Sequence, residues 1–192
     1  MTPINRETWL NQAVLKLAPL FQSKGYKIPQ VKVSVGFPGG GSPRKRIGEA
    51  WHPKASADGL GSIFISPVLD ESTRVLDVLV HELVHAVVGT EHGHGKVFKR
   101  CAVAVGLTGK MRSTVAGREL TTHLSGLIET LGAYPHGRLN LSERPTKKQS
   151  TRMIKMECPD CGYICRSSMS SIVEHGPVIC PCNLEPMKVE VP

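Results

Sequence analysis

Trp9, Leu10, Ala13, Val14, Leu17, Leu20 and Phe21 recur at three- and four-residue spacing, which predicts an amphipathic helix over 8–22. The period then falls to two. Val31, Val33 and Val35 alternate with Lys32 and Ser34, a strand pattern. Gly39-Gly40-Gly41-Ser42-Pro43 reads as an exposed hairpin tip, Ile47 to Trp51 as a returning strand, and Ser62 to Ser66 as a third strand stopped by Pro67. A long apolar run follows: Val75, Leu76, Val78, Leu79, Val80, Leu83, Val84, Ala86, Val87 and Val88. Asp70 or Ser72 can cap it and Gly89 can end it. Apolar residues surround nearly the whole of this helix, as in a central core helix. Val97, Phe98, Cys101, Ala102 and Val105 predict another helix over 96–105, and Leu120, Leu124, Leu127 and Leu131 one over 118–131 begun by Thr114 or Gly117. The fold class expected is α+β, with helices packed on a short three-stranded sheet. Ser62–Ser66 is the expected edge strand beside any cleft, because it ends just before the central helix begins.

The polar residues that interrupt the central helix change the picture. They are His81, Glu82 and His85, in the order His-Glu-Leu-Val-His. Four helical residues turn the chain by about 400° and rise about 6 Å, so the two imidazoles share one side. Both can reach a single zinc ion, while Glu82, offset around the helix, can take a proton from a water there. Two hydrogen-bonded core histidines would explain each histidine alone, but not the pair with the Glu between. A third ligand is required, and His92 and His94 both follow. His94 leads, because Gly93 and Gly95 let the chain turn back and Phe98 can anchor it on the next helix; His92 is the alternative. His123 reads as a packed or surface histidine.

Five of the six cysteines fall after residue 157. Cys158-Pro-Asp-Cys161 forms one knuckle, and Cys180-Pro-Cys182 follows after eighteen residues. Four thiolates at this spacing predict a closed structural zinc site, with the second pair C-x-C instead of the commoner C-x-x-C. Cys165 is the spare thiol and Cys101 a core residue. A disulfide-stapled secreted domain is the competing explanation. The polar start Met-Thr-Pro-Ile-Asn-Arg-Glu and the lack of a membrane-length apolar run favour reduced thiols in the cytoplasm.

His81-Glu82-Leu83-Val84-His85 followed by His94-Gly95-Lys96-Val97-Phe98 resembles the SprT-like (Spartan-type) metallopeptidase domain, whose pattern is H-E-x-x-H, a loop, then H-G-x-x-F. The resemblance covers roughly residues 5–110 loosely and the cysteine module at 155–190 more clearly, since many members carry such a zinc ribbon. It implies a small zincin-like core with His81, His85 and His94 on a catalytic zinc and Glu82 as general base. It also implies digestion of proteins held on DNA. The expected organisation is a metallopeptidase domain at 1–134, a basic linker at 135–152 and a zinc ribbon at 153–192. Two zinc ions are expected, one catalytic and one structural. Tyr134 is a second-line candidate for oxyanion donor. A DNA-binding or scaffolding module with a structural or rarely active zinc site is the competing class, and Glu82, unnecessary for binding zinc, argues against it.

Charge adds a partner. The net charge is +8, with basic residues at Arg44-Lys45-Arg46, Lys96, Lys99, Arg100, Lys110, Arg112, Arg144, Lys147, Lys148 and Arg152. Lys147, Lys148, Arg152 and Arg166 of the ribbon are the expected contacts to non-specific DNA. The triple glycine lacks the terminal Lys-Ser/Thr of a phosphate-binding loop. Few aromatic residues are present, which argues against a base-stacking surface. Binding to a duplex of arbitrary sequence is expected to weaken steeply between low and physiological salt, with log K falling linearly in log salt concentration. Fluorescence anisotropy with a labelled duplex checks this, and an affinity that ignores salt removes the electrostatic argument.

Overall fold

The computed structural model describes residues 5–39, 46–143 and 153–190. The chain forms two compact units, Met1–Glu143 and Arg144–Pro192, and the fold class is α+β.

In the first unit, α1 (Arg6–Ser23), α2 (Ser72–Val88), α3 (Lys96–Ala104) and α4 (Arg118–Leu131) surround a sheet of β1 (Val31–Val35), β2 (Gly48–Trp51) and β3 (Gly61–Ile65). The spatial order is β1-β3-β2: β3 runs parallel to β1 and antiparallel to β2. Two neighbours make β3 the central strand, so Ser62–Ser66 is not the edge beside the cleft. That edge is β2. Chain order misled here, because β2 precedes β3 in the chain yet β3 takes the place between β1 and β2.

Burial explains the arrangement. Ile63 and Ile65 point from β3 into the core, which Trp9, Leu10, Leu17 and Phe21 of α1 complete on one flank. Leu76, Leu79, Val80, Leu83 and Val84 make α2 its centre, all without solvent contact. α2 accordingly packs against β2, β3, α1, α3 and α4. Phe98, Cys101 and Ala102 pin α3 to it.

A hairpin of β4 (Leu107–Lys110) and β5 (Ser113–Ala116) joins α3 to α4 and packs β5 on α2. The hydrophobic pattern gave no sign of it, since only Leu107 and Thr114 of its eight strand residues are buried. Tyr134 and residues 135–139, the latter expected at the start of the linker, are held on this unit. Tyr134 stacks edge-on against Trp9 at 5.1 Å, and the Leu139 N–H donates to the Pro67 carbonyl at 2.9 Å.

Neither expected cap closes α2. Glu71 does, accepting from the N–H groups of Thr73 and Arg74 at 2.8 and 2.6 Å. Ser72 Oγ instead accepts from the Tyr134 N–H, and Asp70 from the Arg138 N–H. These two polar residues are drawn into tertiary ties, leaving the longer Glu71 to satisfy the helix end.

The second unit is an antiparallel sheet in the order β7-β6-β8, from β6 (Ile154–Glu157), β7 (Ile164–Ser167) and β8 (Lys188–Glu190), with α5 (Met169–His175) after β7. Its core is small: Met156, Cys158, Cys180 and Met187. No described helix is long and apolar enough to cross a membrane.

Glu71→Ala removes two acceptor contacts at the start of the central helix. It is expected to cost about 1 kcal/mol and to lower the melting temperature of the first unit by about 2–4 °C. Thermal unfolding by circular dichroism checks this, with an Ala at exposed Glu129 as the neutral control.

Candidate metal centres

The i, i+4 spacing on α2 puts His81 and His85 on one side of the helix. The third histidine arrives from a loop. Gly93 takes φ 49° and ψ −132°, a conformation closed to residues with a Cβ, and this bend turns His94 back over the helix. His94 Nε2 lies 3.1 Å from His81 Nε2 and 3.2 Å from His85 Nε2. Phe98, fully buried at the start of α3, touches all three rings, with centroids at 4.9, 4.4 and 5.0 Å. It is the shared floor of the cluster, not an anchor for His94 alone. His92 ends a short turn, Thr90–His92, on the surface and is not in the cluster.

Three ring nitrogens this close can share hydrogen bonds or hold one metal ion. A tetrahedral ion with metal–nitrogen bonds of about 2.0–2.1 Å spaces its ligands about 3.3–3.4 Å apart, so the donors fit one. Their protonation state fits as well. Burial, then the charge of His85 and of His94, holds His81 down to about 3. Burial and His94 hold His85 down to about 4, and burial and Arg112 lower His94. All three are therefore neutral near pH 7, with lone pairs available. Thr114 Oγ1 stands 2.7 Å from His81 Nδ1. With the Nδ1 proton donated to that hydroxyl, Nε2 of His81 is left as the ligand atom. The sequence marked Thr114 only as a possible start of α4, which Gly117 begins instead; the β4–β5 hairpin brings Thr114 to His81.

Glu82 is 6% exposed and adjoins the histidines in an open cleft of about 630 Å³. Burial, with a further push from Glu49 and partial relief from Arg46, raises its pKa to about 8. Gly48 on β2 makes room for it. A Cβ on Gly48 would overlap both the Glu82 carboxylate and the Val78 side chain. The cleft is also lined by Arg46, Arg74 and Arg112. Arg46 is paired with Glu49 at 2.7 Å and Arg74 with the buried Asp77. Among the described residues Arg112, in the β4–β5 turn, has no ion-pair partner. Tyr134 is not in the cleft; it is buried against Trp9 and Arg6. His123 is exposed on α4, apart from the cluster.

The ribbon cysteines converge too. Cys158 and Cys182 sulfurs are 3.5 Å apart, Cys161 and Cys180 3.6 Å, and Cys180 and Cys182 3.4 Å. These separations exclude disulfide bonds of about 2.05 Å and approach the spacing of about 3.8 Å that a tetrahedral ion with metal–sulfur bonds of about 2.3 Å imposes. The C-x-C pair thus reaches the same point as the C-x-x-C knuckle. Backbone N–H groups of Cys161 and Asp160 draw the Cys158 thiol down to about 7, while Cys180 is raised and contacts with Cys161, Cys180 and Cys158 push Cys182 up, so Cys158 is the thiol that ionises first. Cys165 contacts the Met187 sulfur at 3.6 Å instead, and Cys101 is core. Among the described residues these are the two groups able to hold a metal ion. Of the expected DNA contacts, Lys147, Lys148 and Arg152 lie outside the described residues. Arg166 is exposed on β7, opposite Lys155.

Comparison with family models, with curated proteins and with solved structures returned no match.

His94→Ala is expected to abolish metal binding at the histidine group, and His92→Ala to leave it intact. Thr114→Val, which keeps the shape but loses the acceptor, should weaken affinity there about 10–100-fold. Chelator competition with metal analysis checks all three. The double variant Cys158→Ser, Cys161→Ser serves as the reference that empties the other group.

Proposed function

We propose that the chain is a zinc-dependent endopeptidase of SprT-like type, acting on protein substrates that include proteins bound to DNA. The observation that carries this reading is Glu82. It is a buried carboxylate beside three converging imidazoles, facing an open cleft, with a glycine opposite that leaves it space. A purely structural metal site has no use for such a group. Three nitrogens at one site and four sulfurs at the other match zinc in its catalytic and structural forms respectively. The α+β core around α2 is in keeping with a small zincin.

His81, His85 and His94 would hold the zinc, which when bound would supply Lewis acidity toward a water and toward the scissile carbonyl. The protein's own groups do the rest. The Ser66 N–H donates to the Ile47 carbonyl at 3.0 Å, so in the alternating antiparallel pattern Glu49 and Trp51 also bond to β3. Gly48 and Ala50 therefore turn their N–H and C=O groups to the free edge, along the cleft. An extended substrate adds there as a further strand. Glu82 then accepts the proton of the attacking water and passes it to the departing amine. The raised pKa belongs to the site without an ion; beside a bound divalent cation Glu82 would favour the carboxylate form that the acceptance needs. Arg112, which lines the same cleft and acts electrostatically on His94, is the candidate cation for the developing oxyanion. Association with DNA is proposed on the net charge of +8.

Glu82→Gln is expected to bind zinc as the parent does and to lose about 10²–10⁴-fold in turnover on a partly unfolded or DNA-bound protein substrate. Gly48→Ala, which displaces Glu82 without touching a ligand, should also lower kcat while zinc stays bound. Equal cleavage rates in parent and Glu82→Gln would leave a binding module as the better reading.

A further inference from the structure

A second cavity, of about 400 Å³, lies on the other face of β2. Side chains along a strand alternate between faces. A Cβ at Gly48 points toward Glu82 and Val78 of α2, so Gly48 and Ala50 face the histidine cleft. Glu49 and Trp51 face away. On β3 the same alternation buries Ile63 and Ile65 and leaves Ser62 and Phe64 on the outer face. Phe37, from the loop after β1, joins Trp51 and Phe64 to line the cavity. Phe37 is 46% exposed and Trp51 48%, a large apolar exposure in one place. The acidic group there is already satisfied: Glu49 accepts from the Gly39 N–H and from Arg46, each at 2.7 Å. What remains for a ligand is mostly ring surface.

The two cavities share one strand. A peptide extended along the free edge of β2 places side chains opposite Gly48 and Ala50 in the histidine cleft. Those opposite Glu49 and Trp51 fall on the aromatic side, within cross-strand contact distance. We propose that Phe37, Trp51 and Phe64 form a subsite for a bulky apolar side chain of the extended substrate, one that sets sequence preference. This rests on the peptidase reading above. A nucleobase could stack on the same rings, but among the described residues no arginine or lysine lines this cavity to meet a phosphate, so the surface suits an uncharged side chain better than a nucleotide.

The test uses the full zinc-loaded chain and one extended peptide varied one position at a time through Ala, Leu and Phe. A single position is expected at which Leu or Phe raises kcat/KM about ten-fold or more over Ala. Trp51→Ala and, independently, Phe37→Ala should bring that ratio toward one, with zinc content matching the parent. Equal kcat/KM for all three residues at every position overturns the subsite while leaving the peptidase reading in place. So does a preference that survives in both variants. If the parent cleaves none of the peptides, the peptidase reading itself fails and the subsite goes with it. Acrylamide quenching separates the other occupant, because Trp9 is buried and Trp51 is the accessible indole. Protection of Trp51 by the Leu peptide in the Glu82→Gln variant supports the proposal. Protection by a single-stranded oligonucleotide alone overturns it.

Discussion

Two imidazoles and a carboxylate on the most buried helix of the molecule are the constraint that organises the rest. Left unpartnered in the middle of α2, they would cost several kcal/mol. Four separate pieces of chain converge to meet that demand. The Gly93 bend delivers His94, Phe98 of α3 floors the rings, the β4–β5 hairpin offers Thr114, and Gly48 of β2 leaves a space for Glu82. The neutral state of the histidines follows from this burial. The same burial that makes the groups expensive makes them ready to share one cation.

β2 carries a double duty that arises from strand geometry. It closes the sheet against β3 on one edge and, among the described residues, leaves Gly48 and Ala50 unpaired on the other. An exposed edge is ordinarily a liability. Here it is only four residues long and runs beside the cleft, where the proposed peptidase would pair it with an extended chain.

The ribbon meets a different shortage. A core of two methionines and two cysteines is too small to hold a sheet together by burial alone. Four converging sulfurs offer the missing cross-link, and metal binding in such a module is largely folding free energy.

Much of this was legible in the chain. The apolar run of α2 announced a buried helix, and local spacing alone put His81 and His85 on one side with Glu82 beside them. Period-two patterns located β1, β2 and β3, helical spacing located α1 to α4, and C-x-x-C with C-x-C marked the sulfur cluster, while β6, β7, β8 and α5 were not foreseen. What sequence could not order was everything set by packing between distant segments. It did not show that β3 is central and β2 the edge, since strand order follows from which faces bury Ile63 and Ile65, not from sequence proximity. It missed the β4–β5 hairpin, whose mostly exposed residues carry little hydrophobic signal, and with it the place of Thr114 and Arg112 beside the cleft. It placed Tyr134 among candidates for the cleft, whereas the ring packs on Trp9. Local periodicity determines which side of an element a residue occupies; only the tertiary structure decides what stands opposite, because that is fixed by competition among all the buried faces at once.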